Sequence, residues 1–163
     1  MTDERSGPLG PGEQAPALAL ARRPGEMFSS AELRGRPAIL AFYPADWSPV
    51  CGDQLALYQA ILPEFEQYDA QLVGISVDGV WCHAAYAEAR GLTFPLLADF
   101  EPKGEVSRRF GAYRYGDGFS ERALFILDAD GVIGWQQTVA PEVNPGAAGI
   151  LSALDELRAH SNA

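Results

Sequence analysis

The chain is poor in the residues that would point to metal, nucleic acid or membrane. It has two cysteines and two histidines in 163 residues. Cys51, Cys82, His83 and His160 show neither a Cys-x-x-Cys nor a paired-histidine spacing, so no zinc site is expected. Two cysteines do not make a disulfide framework either, which points to a reducing, cytoplasmic setting. Positive charge is scarce: 12 Lys and Arg stand against 22 Asp and Glu, a net charge of −10. Basic residues run no further than the pairs Arg22-Arg23 and Arg108-Arg109, and without a basic stripe neither nucleic acid nor an anionic membrane surface is an expected partner. No apolar stretch approaches the roughly 20 residues that a membrane-spanning helix needs. Residues 15–21 are apolar but are followed by Arg22-Arg23 rather than a small-residue cleavage site, and Asp3 and Glu4 precede them. A signal peptide is therefore not expected.

What is present suits one globular domain with a full core, since 47% of the residues are hydrophobic. Residues 1–14 are rich in Gly and Pro, lack periodicity and read as a loose leader. The domain is expected over residues 15–158, with a short tail at 159–163. Residues 37–43, 71–77 and 123–127 are short continuous apolar runs, the pattern of strands buried on both faces. Between the first two, Leu55, Tyr58, Leu62, Phe65 and Tyr68 recur at helical spacing, and Pro63 should kink that helix or split it. A second helix is expected over about residues 80–90, with Gly91 at its left-handed end. Asp128-Ala-Asp-Gly131 reads as a tight turn joining residues 123–127 to 132–139 in an antiparallel hairpin. Ala147, Ile150, Leu151, Leu154 and Leu157 line one face of a terminal helix. Strand, helix, strand, helix, hairpin and helix predict an α/β fold with a mixed central β-sheet flanked by helices, an order that matches thioredoxin-like folds.

The informative segment runs from Tyr43 to Gln54, Tyr-Pro-Ala-Asp-Trp-Ser-Pro-Val-Cys-Gly-Asp-Gln. Cys51 follows a predicted buried strand and a short loop, and opens the first helix. The first turn of a helix carries unpaired N–H groups and the positive end of the helix dipole, which favour a thiolate over a thiol. Ser48, three residues earlier, can donate a hydroxyl to the sulfur. Pro44 and Pro49 stiffen the loop and limit access of water. A cysteine taken at random is more often a small buried hydrophobe, but a thiolate at the end of a strand is a nucleophile.

Pro44-x-x-x-Ser48-x-x-Cys51 resembles the Pro-x-x-x-Thr/Ser-x-x-Cys signature of the peroxiredoxins, thiol peroxidases on a thioredoxin-like fold. Leu62-Pro-Glu-Phe-Glu66, Gly74-Ile-Ser-Val-Asp78, Phe94-Pro-Leu-Leu-Ala-Asp99 and Gly104-Glu-Val-Ser-Arg-Arg-Phe-Gly111 are similar to stretches of the alkyl hydroperoxide reductase E and bacterioferritin-comigratory branches. The likeness spans about residues 13–157. It implies that Cys51 reduces hydrogen peroxide and organic hydroperoxides and becomes a sulfenic acid. It also implies that Pro44 shields that acid, and that Ser48, Arg122 and the backbone N–H groups of Val50 and Cys51 stabilise charge on the peroxide oxygens. No metal, haem, flavin or other cofactor is implied, because the sulfur is the redox centre. Many relatives carry Glu three residues after the reactive cysteine, where this chain has Gln54. Gln54 can hydrogen-bond a neighbour but cannot form an ion pair with an arginine.

The recycling step stays open at the level of sequence. Relatives place a resolving cysteine where this chain has Ala56 or Ala87. Cys82 is the only internal candidate, 31 residues beyond Cys51 by their numbers; it reaches Cys51 only if the helix start moves or unwinds. Otherwise Cys82 is a packed thiol beside Trp81, and an external reductant serves: a small-molecule thiol or a thioredoxin- or glutaredoxin-like protein. His83 reads as a cap or packing group, and Trp47 as packing or a contact in the homodimer that the resemblance implies. Three other activities compete. A peroxide-responsive sensor or binding protein would need the same thiolate. A thioredoxin-like disulfide reductase would need a second cysteine two or three residues from Cys51, and Gly52, Asp53 and Gln54 supply none. A cysteine hydrolase would need a histidine in a base position.

Overall fold

The computed structural model describes residues 7–161. Its central element is a seven-stranded mixed sheet. The strands are β1 (Ala19–Arg23), β2 (Glu26–Ser29), β3 (Ala38–Phe42), β4 (Gln71–Ser76), β5 (Leu96–Ala98), β8 (Arg122–Leu127) and β9 (Ile133–Val139). They lie in the spatial order β2-β1-β5-β4-β3-β8-β9. β3 pairs in parallel with β4, and β4 with β5; β8 joins β3 antiparallel and carries β9 as a hairpin partner. A separate two-stranded ribbon, β6 (Tyr113–Arg114) and β7 (Phe119–Ser120), precedes β8.

The continuous apolar runs are the central strands, as expected: every residue of β3 and of β8 is buried. Strand residues alternate between two cores. Leu40, Phe42, Val73, Ile75 and Phe125 face one side, against Leu33, Val106 and Phe110. Ile39, Ala41, Leu72, Leu124 and Ile126 face the other. There they meet α1 (Pro49–Ala60), α2 (Leu62–Glu66), α3 (Val80–Arg90) and α5 (Ala148–Ser161), through Leu55, Tyr58, Phe65, Tyr86, Ile150 and Leu154.

Local signals set the helix boundaries. Pro63 lacks an N–H and crowds the carbonyl four residues back, and the helix breaks at Ile61 into α1 and α2. Helix α3 covers Val80–Arg90 and ends on Gly91 at φ 66°, a conformation that costs glycine little. The β8–β9 turn is held by Asp128, whose Oδ1 accepts the N–H groups of Asp130 and Val132, each at 2.9 Å. Asp99 does the same for α4 (Glu105–Arg109), accepting from the N–H groups of Val106 at 3.0 Å and Ser107 at 2.8 Å.

Two expectations need correction. Residues 1–6 of the expected leader lie outside the described part, but residues 7–14 are not loose. Leu9 is buried in the first core, and its N–H donates to the Phe110 carbonyl at 3.0 Å. The N–H of Gly12 bonds Ile133 O at 2.8 Å, that of Ile133 bonds Glu13 O at 2.9 Å, and Gln14 bridges to Val132. An isolated leucine among glycines and prolines shows no period, yet it covers apolar surface left by Phe110. The expected tail also begins too early, since α5 continues to Ser161; residues 162–163 are outside the described part. The β1–β2 hairpin and the β6–β7 ribbon, too short to show a period, were not anticipated.

Candidate active site

β3 leads through Tyr43 and the buried Pro44 into the loop before α1. Ser48 caps the helix with φ −73° and ψ 143°, Pro49 takes its first position, and Cys51 is the third residue. The first bond closing the helix runs from the Gly52 N–H to Ser48 O, at 2.9 Å, so the N–H groups of Val50 and Cys51 precede the hydrogen-bonded ladder. Cys51 is 0% exposed. The Ser48 side chain makes no capping bond, and its Oγ is buried without a hydrogen-bond partner. A buried hydroxyl without a partner is costly, which suits a donor held for a group that comes and goes.

Arg122, the first residue of β8, is 2% exposed. Its Nε and Nη2 donate to the Pro141 carbonyl at 2.9 and 2.5 Å, and its Nη1 donates to Gln54 Oε1 at 2.7 Å. Gln54 stands three residues after Cys51, so both lie on one face of α1. The Gln54 amide donates to Tyr58 Oη at 3.0 Å, and that hydroxyl donates to the Gly146 carbonyl, also at 3.0 Å. Burial pushes the Tyr58 hydroxyl up to about 12, so it keeps its proton in this chain of donors. Gln54 therefore does meet an arginine, by a hydrogen bond from the guanidinium to a neutral amide oxygen in place of an ion pair. The permanent charge of Arg122 is left without a bonded carboxylate among the described residues.

A second network, absent from the sequence reading, braces the loop between Pro44 and Ser48. Asp46 is buried; its Oδ1 accepts the Tyr43 hydroxyl at 2.6 Å, and its Oδ2 lies 2.7 Å from His83 Nδ1. His83 Nε2 lies 3.1 Å from the Leu97 carbonyl. Both ring nitrogens of His83 thus lie within hydrogen-bond distance of an oxygen. Asp46 N–H in turn donates to Asp78 Oδ2 at 2.9 Å, which also accepts the Ser76 hydroxyl at 2.6 Å. Burial, then the Asp46 charge, holds the Tyr43 hydroxyl well above its ordinary range. Asp46, Asp78 and His83 approach one another within 4.8 Å, as a metal site would, but these atoms already bond Tyr43, Ser76, backbone groups and each other. His83 is thus a buried brace rather than a helix cap. The only signal for it in the sequence was an acid inside the reactive loop and a histidine at the next helix start.

Cys82 lies in the first turn of α3, partly buried, and both cysteines are free thiols. Its Sγ is 4.0 Å from Asp78 Oδ1. Burial, then the Asp46 and Asp78 charges, push the Cys82 thiol up to about 11. Three aromatic residues face solvent: Trp47 in the loop before α1, 49% exposed at φ 70°, Trp81, next to Cys82 in the chain and 76% exposed, and Phe100, 57% exposed and beside Gly79. His160 is remote in role, its Nδ1 placed 2.7 Å from Glu156 O on α5.

Similarity to known proteins agrees with this geometry. Residues 11–136 match the AhpC/TSA family. A Mycobacterium tuberculosis chain assigned by name to the peroxiredoxins is 38% identical over 90% of this chain and 92% of its own. Alkyl hydroperoxide reductase E of the same organism is 32% identical over 82% and 88%. Among solved structures, AhpC of Enterococcus faecalis superposes with a TM-score of 0.85 at 26% identity, covering 93% of this chain and 94% of that one. AhpC of M. tuberculosis gives 0.81 at 29%, covering 92% and 98%. A buried cysteine opening the helix after a central strand, a mixed thioredoxin-like sheet and these likenesses converge: the chain belongs to the AhpC/TSA family of peroxiredoxins, the thiol-dependent peroxidases.

Proposed function

We propose that this chain reduces hydrogen peroxide and organic hydroperoxides at Cys51, with Pro44, Ser48 and Arg122 in support. The observation that carries the assignment of roles is the buried, unpartnered Ser48 hydroxyl at the cap of the helix that Cys51 opens. The sulfur attacks the distal peroxide oxygen; an S–O bond forms as the O–O bond breaks, and the sulfur gives up two electrons. The other oxygen leaves and takes a proton from solvent, as water or an alcohol. Ser48, the N–H groups of Val50 and Cys51 and the N–H groups of Arg122 not committed to Pro141 or Gln54 stabilise the charge on the parting oxygens. Pro44, buried beside the loop, limits access of a second peroxide.

For recycling, an external thiol fits better than Cys82. A thiol raised to about 11 is almost wholly protonated at neutral pH, and the thiolate is the attacking form. A small-molecule thiol or a thioredoxin- or glutaredoxin-like protein would then form the mixed disulfide, and a second thiol would release Cys51. The exposed Trp47, Trp81 and Phe100 support a homodimer. Two free thiols support a cytoplasmic location, and no helix among the described residues is long and apolar enough to cross a membrane. The test is peroxide consumption with added thiol. Cys51→Ser should abolish it and Cys82→Ser should leave it largely intact. A single stoichiometric oxidation without turnover would instead identify a sensor.

A further inference from the structure

Two buried hydroxyls have no hydrogen-bond partner among the described residues, Ser48 Oγ and Tyr86 Oη. The first belongs to the peroxide site described above; the second has no assigned task. Tyr86 projects from α3 into the second core and is 0% exposed. Its hydroxyl lies against the first turn of α1: a Cβ built at Gly52 would stand in ordinary contact with Tyr86 Oη, at 3.5 Å. Gly52 is the residue next to Cys51. On its outer side the Tyr86 ring packs edge-on against Trp47 of the reactive loop, with centroids 5.0 Å apart. A phenylalanine would fill the same space without burying an unpaired hydroxyl. The hydroxyl thus costs stability in the reduced protein and has no bond there in return.

We propose that Tyr86 donates a hydrogen bond to the oxygen that Cys51 gains on oxidation, and promotes the departure of that oxygen when a thiol attacks. This rests on the peroxidase reading of Cys51. The Cys51 sulfenic acid extends one oxygen beyond the sulfur, toward surroundings in which Tyr86 Oη is an unused donor. In the reductive step an S–S bond forms as the S–O bond breaks. The incoming thiolate supplies the electron pair of the S–S bond, and the S–O pair leaves with the oxygen as hydroxide, which becomes water with a solvent proton. The Cys51 sulfur is reduced by one electron as the thiol sulfur is oxidised by one. A donor at that oxygen stabilises the charge developing on it. Burial and then the Cys51 charge push the Tyr86 hydroxyl up to about 12, so it remains a protonated donor at neutral pH.

The test separates the two half-reactions in the full chain carrying Tyr86→Phe, which keeps the ring and its contact with Trp47. The oxidative half is followed after one equivalent of hydrogen peroxide, and the reductive half by adding dithiothreitol to the sulfenic form, both by quenching and intact mass. Oxidation should stay within about twofold of the unsubstituted protein, while reduction should slow about tenfold, the loss of one hydrogen bond. Unchanged rates in both halves, or equal losses in both, would overturn the assignment, because a packing role does not discriminate between them. Failure of the unsubstituted protein to form a sulfenic acid at Cys51 would instead overturn the peroxidase reading.

Discussion

Arg122 and Gln54 meet across the site at 2.7 Å, from guanidinium Nη1 to amide Oε1, and the arginine is otherwise held by a single carbonyl. A neutral partner orients the guanidinium without cancelling its charge. Gln54→Ala should leave a buried N–H of Arg122 and the Tyr58 hydroxyl short of a bond, costing about 1–3 kcal/mol in urea unfolding. The rate of Cys51 oxidation should fall with it, because Arg122 loses its tether to the helix that carries the sulfur. Unaltered stability and rate would show that Pro141 alone holds the arginine.

Ser48 gives the opposite pattern. Its hydroxyl is buried and makes no bond within the fold, so Ser48→Ala should not destabilise the protein and should raise its stability by about 1 kcal/mol. The oxidation rate should nevertheless drop by about tenfold or more, and Ser48→Thr should restore most of it. Loss of stability with no loss of rate would assign Ser48 to the fold instead.

Asp46 and His83 are buried partners at 2.7 Å. Removing either alone leaves the other a buried polar group short of a bond, so Asp46→Ala and His83→Ala should each cost about 1–3 kcal/mol. The double variant should lose much less than their sum, a coupling readable in a double-mutant cycle. Additive losses would mean the two residues act independently.

Cys82 should alkylate slowly at neutral pH. Its thiol is raised to about 11, so the reactive thiolate becomes abundant only as pH climbs toward that value. In the Cys51→Ser protein, where Cys82 is the sole thiol, the iodoacetamide rate should keep rising between about pH 8 and pH 11, past the ordinary free-thiol value near 8.5. A plateau at pH 9 would contradict the influence of burial and of the Asp46 and Asp78 charges and revive Cys82 as a resolving thiol.

Leu9 tests the corrected boundary of the domain. Leu9→Ala should destabilise the fold by about 2–4 kcal/mol, as truncation of a buried leucine does, while leaving the oxidation rate near that of the unsubstituted protein. No change in unfolding would return residues 7–14 to the status of a loose leader.

Periodicity, proline and glycine placement and the motif around Cys51 were enough to predict the central strands, the break at Pro63, the end of α3 at Gly91, the β8–β9 hairpin and the helix that starts before Cys51. Each of these depends on interactions within a few residues, which a linear pattern records directly. Contacts between distant segments depend on which surfaces the sheet brings together, and no local spacing encodes them. Leu9 against Phe110, Gln54 with Arg122, His83 with Asp46, and Tyr86 beside Gly52 all join residues from separate elements. The place of Cys51 at a helix start was legible along the chain; the polar and apolar partners around it exist only once β3, β8, α1 and α3 have packed.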